Sequence, residues 1–320
     1  MDKKFLNYTD WQQTADTVHM YLQMLGKVKL VRCHQRPEWA HVRLYLSIEG
    51  LSTGIIPGDD SPFEIQADFM KHMIIFRNGN GKTVHFDLHD GLSVAEFYKQ
   101  FMKSLEEIGS PTTINVRAQE FYDPVDFDKD TKHHHYNREA VHLWHQNHLF
   151  AHEALRGFLS RFRGKVDGPA YYFGTMDLTG IVYSGESAPF GMNKPISDHA
   201  FDERYFECGF WPGDPNYPRP AFYGLPYPFI SDLRGNDHLI RPAMAIFKPG
   251  KKEFFLTLED ALAYDDPFDA VRQFLQSSFD IMQKIHPWQH LDWITTPLTY
   301  AFPEGILSCN EKRLVLFVPD

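Results

Sequence analysis

Cysteine is scarce in this chain. Cys33, Cys208 and Cys309 are the only three in 320 residues, odd in number and without CxxC spacing, which disfavours both a disulfide framework and a thiolate zinc site. A reducing cytoplasm is the expected setting. Long apolar runs are missing as well: no stretch of about 18 apolar residues occurs, and Met1 to Tyr8 lacks the apolar segment of a signal peptide, so neither membrane spanning nor export is expected. Positive charge is in deficit, with 32 Lys and Arg against 42 Asp and Glu for a formal net charge of -10. The field of such a chain repels phosphate backbones and anionic lipid, so neither nucleic acid nor membrane is an expected partner. The basic doublets Lys3-Lys4 and Lys251-Lys252 are too short to follow a phosphate backbone.

Aromatic residues, by contrast, are abundant: 27 Phe, 15 Tyr and 6 Trp. Each Tyr and Trp carries a polar tip that needs a partner or a wet edge when buried, which favours a core with a lined cleft.

The order of elements is read from periodicity. Trp11, Ala15, Val18, Leu22 and Leu25 step by four and three, predicting an amphipathic helix closed by Gly26. Strand-like runs follow at Lys29–Cys33, His41–Ile48 and Phe63–Phe69, broken by Pro37, Gly50, Gly54 and Pro57. Met73–Phe76 and Thr83–Leu88 flank Asn78-Gly79-Asn80-Gly81, a hairpin signature, and a helix is predicted over Val94–Ile108. The order then recurs. A helix over Arg138–Arg163, strands at Ala170–Phe173 and Leu178–Tyr183, a hairpin from Met244–Phe247 and Glu253–Leu258, and a helix over Asp269–Ile285 make the second set. The expected fold is therefore α+β, as two diverged helix–antiparallel strands–helix repeats in a pseudo-two-fold relation with helices packed on β-sheet. The units fall at 10–110 and 138–286, joined by an acidic linker at 111–137. An insertion at 185–228 interrupts the second unit, and an extension at 287–320, with a strand at Leu314–Val318, follows it.

Several motifs invite chemistry and read more simply as structure. Gly50-Leu51-Ser52-Thr53-Gly54 spells a nucleophile elbow, but Ile55–Asp60 reads as loop where a helix must follow. Gly81-Lys82-Thr83 ends like a phosphate loop, yet Phe76 stands where that loop needs glycine. Asp126, Asp128 and Asp130 open like a calcium loop, but Thr131 and Asn137 replace the required Gly and Glu. Histidines cluster at His133–His135 and at His142, His145, His148 and His152. The last two have a spacing that lets imidazoles share a metal, though His148 also falls in the apolar stripe of Val141, Trp144, Ala151 and Leu155. No metal ligand is assigned; a His-ligated metal-dependent enzyme remains an alternative.

Thr17-Val18-His19, Gln23–Val28, Trp39–Val42, Gly50-Leu51, Asp68-Phe69 and His72 form one half of a longer pattern. Gly164-Lys165, Phe173-Gly174, Asp177-Leu178, Gly209-Phe210-Trp211-Pro212-Gly213, Phe222-Tyr223, Tyr227-Pro228 and Phe274–Ser277 form the other. In this order they resemble an uncharacterised bacterial family of unknown function over roughly residues 10 to 285, with the Gly-Phe-Trp-Pro-Gly run the most specific piece. The resemblance implies a cytoplasmic bacterial protein and transfers no activity, cofactor or partner.

The candidate site follows from the polar residues of that pattern. His41, Glu207, His19 and His72 are the candidate catalytic groups, with Lys27, Trp39, Trp211, Tyr223 and Tyr227 as candidate ligand contacts. Imidazoles, a carboxyl and phenols among aromatic rings suit general acid–base work or the gripping of a small polar or aromatic molecule. Plainer roles stand beside these: His19 as a core cap, Lys27 reaching past a helix end, His41 bonded to backbone. The expected arrangement is a cleft between the two repeats, covered by 185–228, in which His41, oriented by Glu207, moves a proton. A non-catalytic interaction module presenting Trp211 and the tyrosines to another subunit, in a homodimer for instance, is the other reading.

Overall fold

The computed structural model describes residues 5–296 and the backbone of 299–302 and 305–308. Cys309 and the expected strand Leu314–Val318 lie outside the described residues.

At the centre is α1 (Tyr8–Arg32), which is buried without interruption from Thr14 to Lys29. The helix continues for six residues beyond Gly26, to Arg32. Gly26 is accordingly not a cap: the helix runs through it, and a Cβ there would stand 1.8 Å from Cδ1 of Phe173, so glycine lets that ring lie against the helix backbone. The run Lys29–Cys33, expected as a strand, instead makes the last turn of α1. Lys29 turns inward and donates to the carbonyls of Arg43 and Thr53, and burial lowers its pKa to about 8.

The first sheet is a meander of β1 (Tyr45–Leu46), β2 (Gly50–Ser52), β3 (Phe63–Asp68), β4 (Met73–Asn78) and β5 (Thr83–Asp87), paired in that order and all antiparallel. The predicted strand His41–Ile48 contracts to β1 because residues 40–42 turn, with the Val42 N–H donating to the Trp39 carbonyl. The strand Gly50–Ser52 runs into loop rather than helix, so no nucleophile elbow forms. Along β3 the buried positions Phe63, Ile65 and Ala67 alternate with the half-exposed Glu64 and Gln66, the signature of a sheet with one dry face. α2 (Val94–Glu107) covers that face with Phe97, Phe101 and Leu105. It starts at a capping box in which Ser93 accepts from the Glu96 N–H and Glu96 accepts from the Ser93 N–H.

The second unit runs from α3 (Arg138–Leu159) through β6 (Val166–Tyr172) and β7 (Asp177–Ser187) to the short α4 (Pro195–Ala200). It continues with β8 (Glu203–Trp211), β9 (Ala221–Tyr227), β10 (Ile246–Lys248), β11 (Glu253–Thr257), α5 (Leu258–Leu262) and α6 (Pro267–Ile285), with α7 (Leu291–Ile294) beyond. Its six strands lie in the order β10-β11-β9-β8-β7-β6. Helix, antiparallel strands and helix thus recur, giving an α+β fold, but the strand orders differ: the closing hairpin β4–β5 continues the first meander, whereas β10–β11 docks with its second strand inward. The span 185–228, expected as a covering insertion, supplies two inner strands of this sheet, β8 and β9.

Strand alternation divides the residues of this second sheet. Leu178, Val182, Phe206, Cys208, Phe210, Phe222, Phe254 and Leu256 belong to the main core, which α3 and α6 complete. A bridge between Leu44 and Tyr171 and the shared core join the two sheets. Among the described residues no helix is long and apolar enough to cross a membrane.

Candidate functional site

The other face of the second sheet is enclosed by loops, the short α4 and a few side chains of α1. It floors a cavity of about 630 Å³, a volume that suits a small molecule. Thr179 and Ile181 from β7, Tyr205, Glu207 and Trp211 from β8, Tyr223 and Leu225 from β9, and Glu253 and Phe255 from β11 point into it. Since β8 advances about 3.3 Å per residue, Tyr205 and Trp211 mark ends of the floor about 20 Å apart, with Glu207 between them.

Tyr223 is the organising residue. Its neighbour across the strand pair is Gly209, where a Cβ would meet the phenol at 2.4 Å, so glycine lets the ring lie flat over the strand. The hydroxyl then lies 2.5 Å from Oδ2 of Asp177, 2.9 Å from Oε1 of Glu207 and 2.7 Å from the Thr179 hydroxyl. Thr175 and Thr179 also donate to Asp177, so that this carboxyl is arranged as an acceptor. Glu207 differs. Burial first, and the adjacent Asp177 second, raise its pKa to about 8, so at neutral pH it holds a proton. Burial likewise raises Glu253 to about 7, against the opposing effect of Lys251. Burial of Tyr223 and the two carboxyls beside it push the phenol well above its ordinary value, which keeps it a hydroxyl donor.

The walls come from elsewhere in the chain and are tied down by α1. His19 donates from Nε2 to the carbonyls of Phe173 (2.8 Å) and Gly174 (3.1 Å), fixing the β6–β7 turn. One helical turn later Gln23 exchanges two hydrogen bonds with the backbone of Gln119, at 2.6 and 2.9 Å, fixing the 119–122 segment. Burial lowers His19 to about 4, so it is a neutral strut and no acid–base group near pH 7. Trp39 closes one end, its Nε1 donating to the Ile196 carbonyl at 2.9 Å, and Trp211 closes the other, stacked on Tyr217. Beside the 119–122 wall lies a second carboxyl–phenol group, in which Tyr8 and Tyr122 both donate to Asp16.

Backbone strain gathers at this cavity. Eight non-glycine residues have left-handed backbone among the described residues, and four of them, Glu38, Trp39, Glu120 and Met176, line it. Conformations of this kind cost about 1–3 kcal/mol each and persist where the surroundings impose them. Glu120 lays its carboxyl over Gly174, where a Cβ would stand 2.3 Å from Oε2.

Of the residues singled out from the sequence, the structure brings His19, Trp39, Glu207, Trp211 and Tyr223 together around the cavity. The other four do not line it. His41 stacks beside Trp39 and its Nδ1 accepts from the Arg36 N–H, so it makes no pair with Glu207, whose Oε1 is taken by Tyr223. His72 sits in the β3–β4 turn against the Tyr136 hydroxyl, Lys27 is buried near the ring of Phe127, and Tyr227 donates to the Ala188 carbonyl. The helix histidines do not converge either: His148 donates to the Trp144 carbonyl and His145 to that of Ile48. No group of three or more His, Cys, Asp or Glu side chains among the described residues could hold a metal ion.

The Gly-Phe-Trp-Pro-Gly run is now seen to build this site, with Gly209 under the phenol, Trp211 at the mouth and Gly213 in the adjoining turn with a φ of +93°. A model of a family of unknown function matches residues 4–293. The chain belongs to that family, DUF5996. No curated protein and no solved structure matches it. For this DUF5996 chain the chemistry of the cavity is therefore the ground for a functional reading. Sequence reasoning passed over Asp177, Glu253 and Glu120 as site residues. Asp177 and Thr179, two apart at the start of a strand, were the available signal of a polar strip on an otherwise apolar run.

Proposed function

We propose that the cavity on the outer face of the second sheet binds a small polar molecule and that Glu207, Tyr223 and Asp177 serve it as a proton relay. The observation that carries this is the Tyr223 hydroxyl, held between a carboxyl that keeps its proton and one surrounded by donors. A carboxyl that keeps its proton beside one that accepts three hydroxyl hydrogen bonds gives the site a proton to release and an acceptor to orient the phenol. In the relay Glu207 gives up its proton as the molecule binds, while the phenol, donating to Asp177, holds the second carboxyl in place. The reverse transfer restores the pair.

The floor comes from the second sheet and the walls from α1, the 38–42 segment and residues 119–122, and the proposed proton donor is Glu207 where the sequence suggested His41. The aromatic residues that an interaction surface would present are turned inward, with Tyr223 and Tyr227 buried and Trp211 stacked on Tyr217, which favours a small-molecule site over an interaction module. The free thiols of Cys33 and Cys208 accord with a reducing compartment, and we place the protein in the cytoplasm.

A thermal-shift screen of small polar metabolites tests the reading. At least one compound should raise the melting temperature of the wild-type chain and leave Leu225→Trp, which fills the floor, unmoved. A screen in which every stabilising compound acts equally on both proteins overturns it.

A further inference from the structure

We infer that the ligand of this cavity is an organic cation, an ammonium or guanidinium group on an apolar carrier; this rests on the small-molecule reading above. Among the described residues six carboxyl side chains line the cavity, Glu38, Glu120, Asp177, Glu207, Asp214 and Glu253, and Lys251 is the single Lys or Arg that does so. Three of the six already have partners, Asp177 through the hydroxyls of Thr175, Thr179 and Tyr223. Lys165 pairs with Glu38 at 2.8 Å, and Asp214 accepts the backbone N–H groups of Asn216 and Tyr217. Glu120, Asp177, Glu207 and Glu253 form no ion pair with Lys or Arg among the described residues. Carboxyls in a half-enclosed site need either a counter-charge or a proton. Their arrangement does not converge as metal ligands do, so what they offer in common is hydrogen-bond acceptance toward N–H donors.

The aromatic surfaces point the same way, and independently. At the mouth the chain already seats an ammonium of its own: Lys251 Nζ lies 4.8 Å from the ring centroid of Trp211, 5.9 Å from Phe255 and 6.0 Å from Tyr217. Ring faces attract cations and repel anions. Trp39, Phe121 and Phe173 extend this lining toward the other end. Lys251 is thus an internal occupant of the kind of place the ligand takes, and a cation that enters competes with it.

Binding couples to a proton. Glu207 faces Asp177 from β7, Tyr223 from β9 and Glu253 from β11, with the Arg43 guanidinium acting from the segment after α1. An arriving ammonium keeps its own protons and stabilises the Glu207 carboxylate, so the carboxyl proton leaves to solvent.

The test is calorimetric titration of the full chain with three probes of one shape: phenethylammonium, phenethyl alcohol and hydrocinnamate. The ammonium is expected to bind at least about tenfold more tightly than the other two and to release protons at pH 7, read by repeating the titration in buffers of different ionisation enthalpy. Glu207→Gln should remove the proton release and weaken the ammonium about tenfold, while Lys251→Ala, at the mouth, should tighten it. Equal or tighter binding of the alcohol or the carboxylate overturns the cation assignment and leaves the binding cavity standing. If no probe binds, a screen hit of another charge class overturns this assignment alone, and the absence of any hit overturns both readings.

Discussion

The two sheets solve the same packing problem differently. In the first, β3 alternates buried and half-exposed positions, so one face meets the core and the other meets water. In the second, all seven residues of β9 are buried, because helices cover one face while loops and α1 enclose the other. An antiparallel sheet with a wet face can carry polar residues there at little cost. A sheet enclosed on both sides can carry them only where they are satisfied by one another or by something that enters. The carboxyls over the second sheet are such a case, and this difference between the sheets is the reason the proposed function is assigned to the second.

Substitutions can press on this contrast from both sides. The largest loss is expected in the first unit: Phe97 is fully buried and stacked on Tyr21 at 4.0 Å, so Phe97→Ala should cost about 4 kcal/mol in denaturant unfolding. Ligand affinity of the protein that remains folded should be unchanged. Gly209→Val should cost about 3 kcal/mol, since the new side chain collides with Tyr223, and unlike the first substitution it should abolish binding. Glu207→Gln should act in the opposite direction, and only above mildly acidic pH. The folded-state pKa of Glu207 is raised to about 8, so the folded state holds more protons than the unfolded one between the ordinary glutamate range and pH 8. Stability must therefore fall as pH rises through that window. The variant should flatten this slope and gain on the order of 2 kcal/mol at pH 8.5, discounted for cavity water and measured by unfolding at several pH values. Tyr223→Phe should cost about 1 kcal/mol and move the Glu207 titration upward, because the lost hydroxyl favours the carboxylate; carboxyl-resolved NMR would show it. At the exposed face of the first sheet, Arg77→Ala, which removes a hydrogen bond to Gln66, should stay within about 0.5 kcal/mol and leave binding alone.

The same contrast explains what could be read from the chain. The hairpin β4–β5 and the helix α2 were legible because their periods are clean and their turn and cap residues conventional. The stretch after Gly26 was not: its short apolar run argued for a strand, whereas the chain continues α1 for another turn, with Leu30 and Val31 exposed and Lys29 anchored inward on the Arg43 and Thr53 carbonyls. In the site, Glu207, Trp211 and Tyr223 stood out as polar or aromatic groups within a specific pattern. Their partner Asp177 belongs to the same pattern but gave no sign of a role in the site, because what unites it with Tyr223 is a register 46 residues apart in sequence, set by β7, β8 and β9 lying side by side. The histidines misled for a related reason: periodicity places an imidazole on a helix face but is silent on which carbonyl it will meet, and His145 and His148 each found one.

His19 and Gln23, on adjacent turns of α1, grip two segments that lie about a hundred and more residues downstream. A piece of the chain from α3 onward would carry every carboxyl of the relay and still lack the struts that hold the β6–β7 turn and the 119–122 segment over it. The carboxyls lie in the later part of the gene and the struts that enclose them in the first thirty codons, so separating the two by truncation or recombination would leave an open, wetted sheet in place of the cavity.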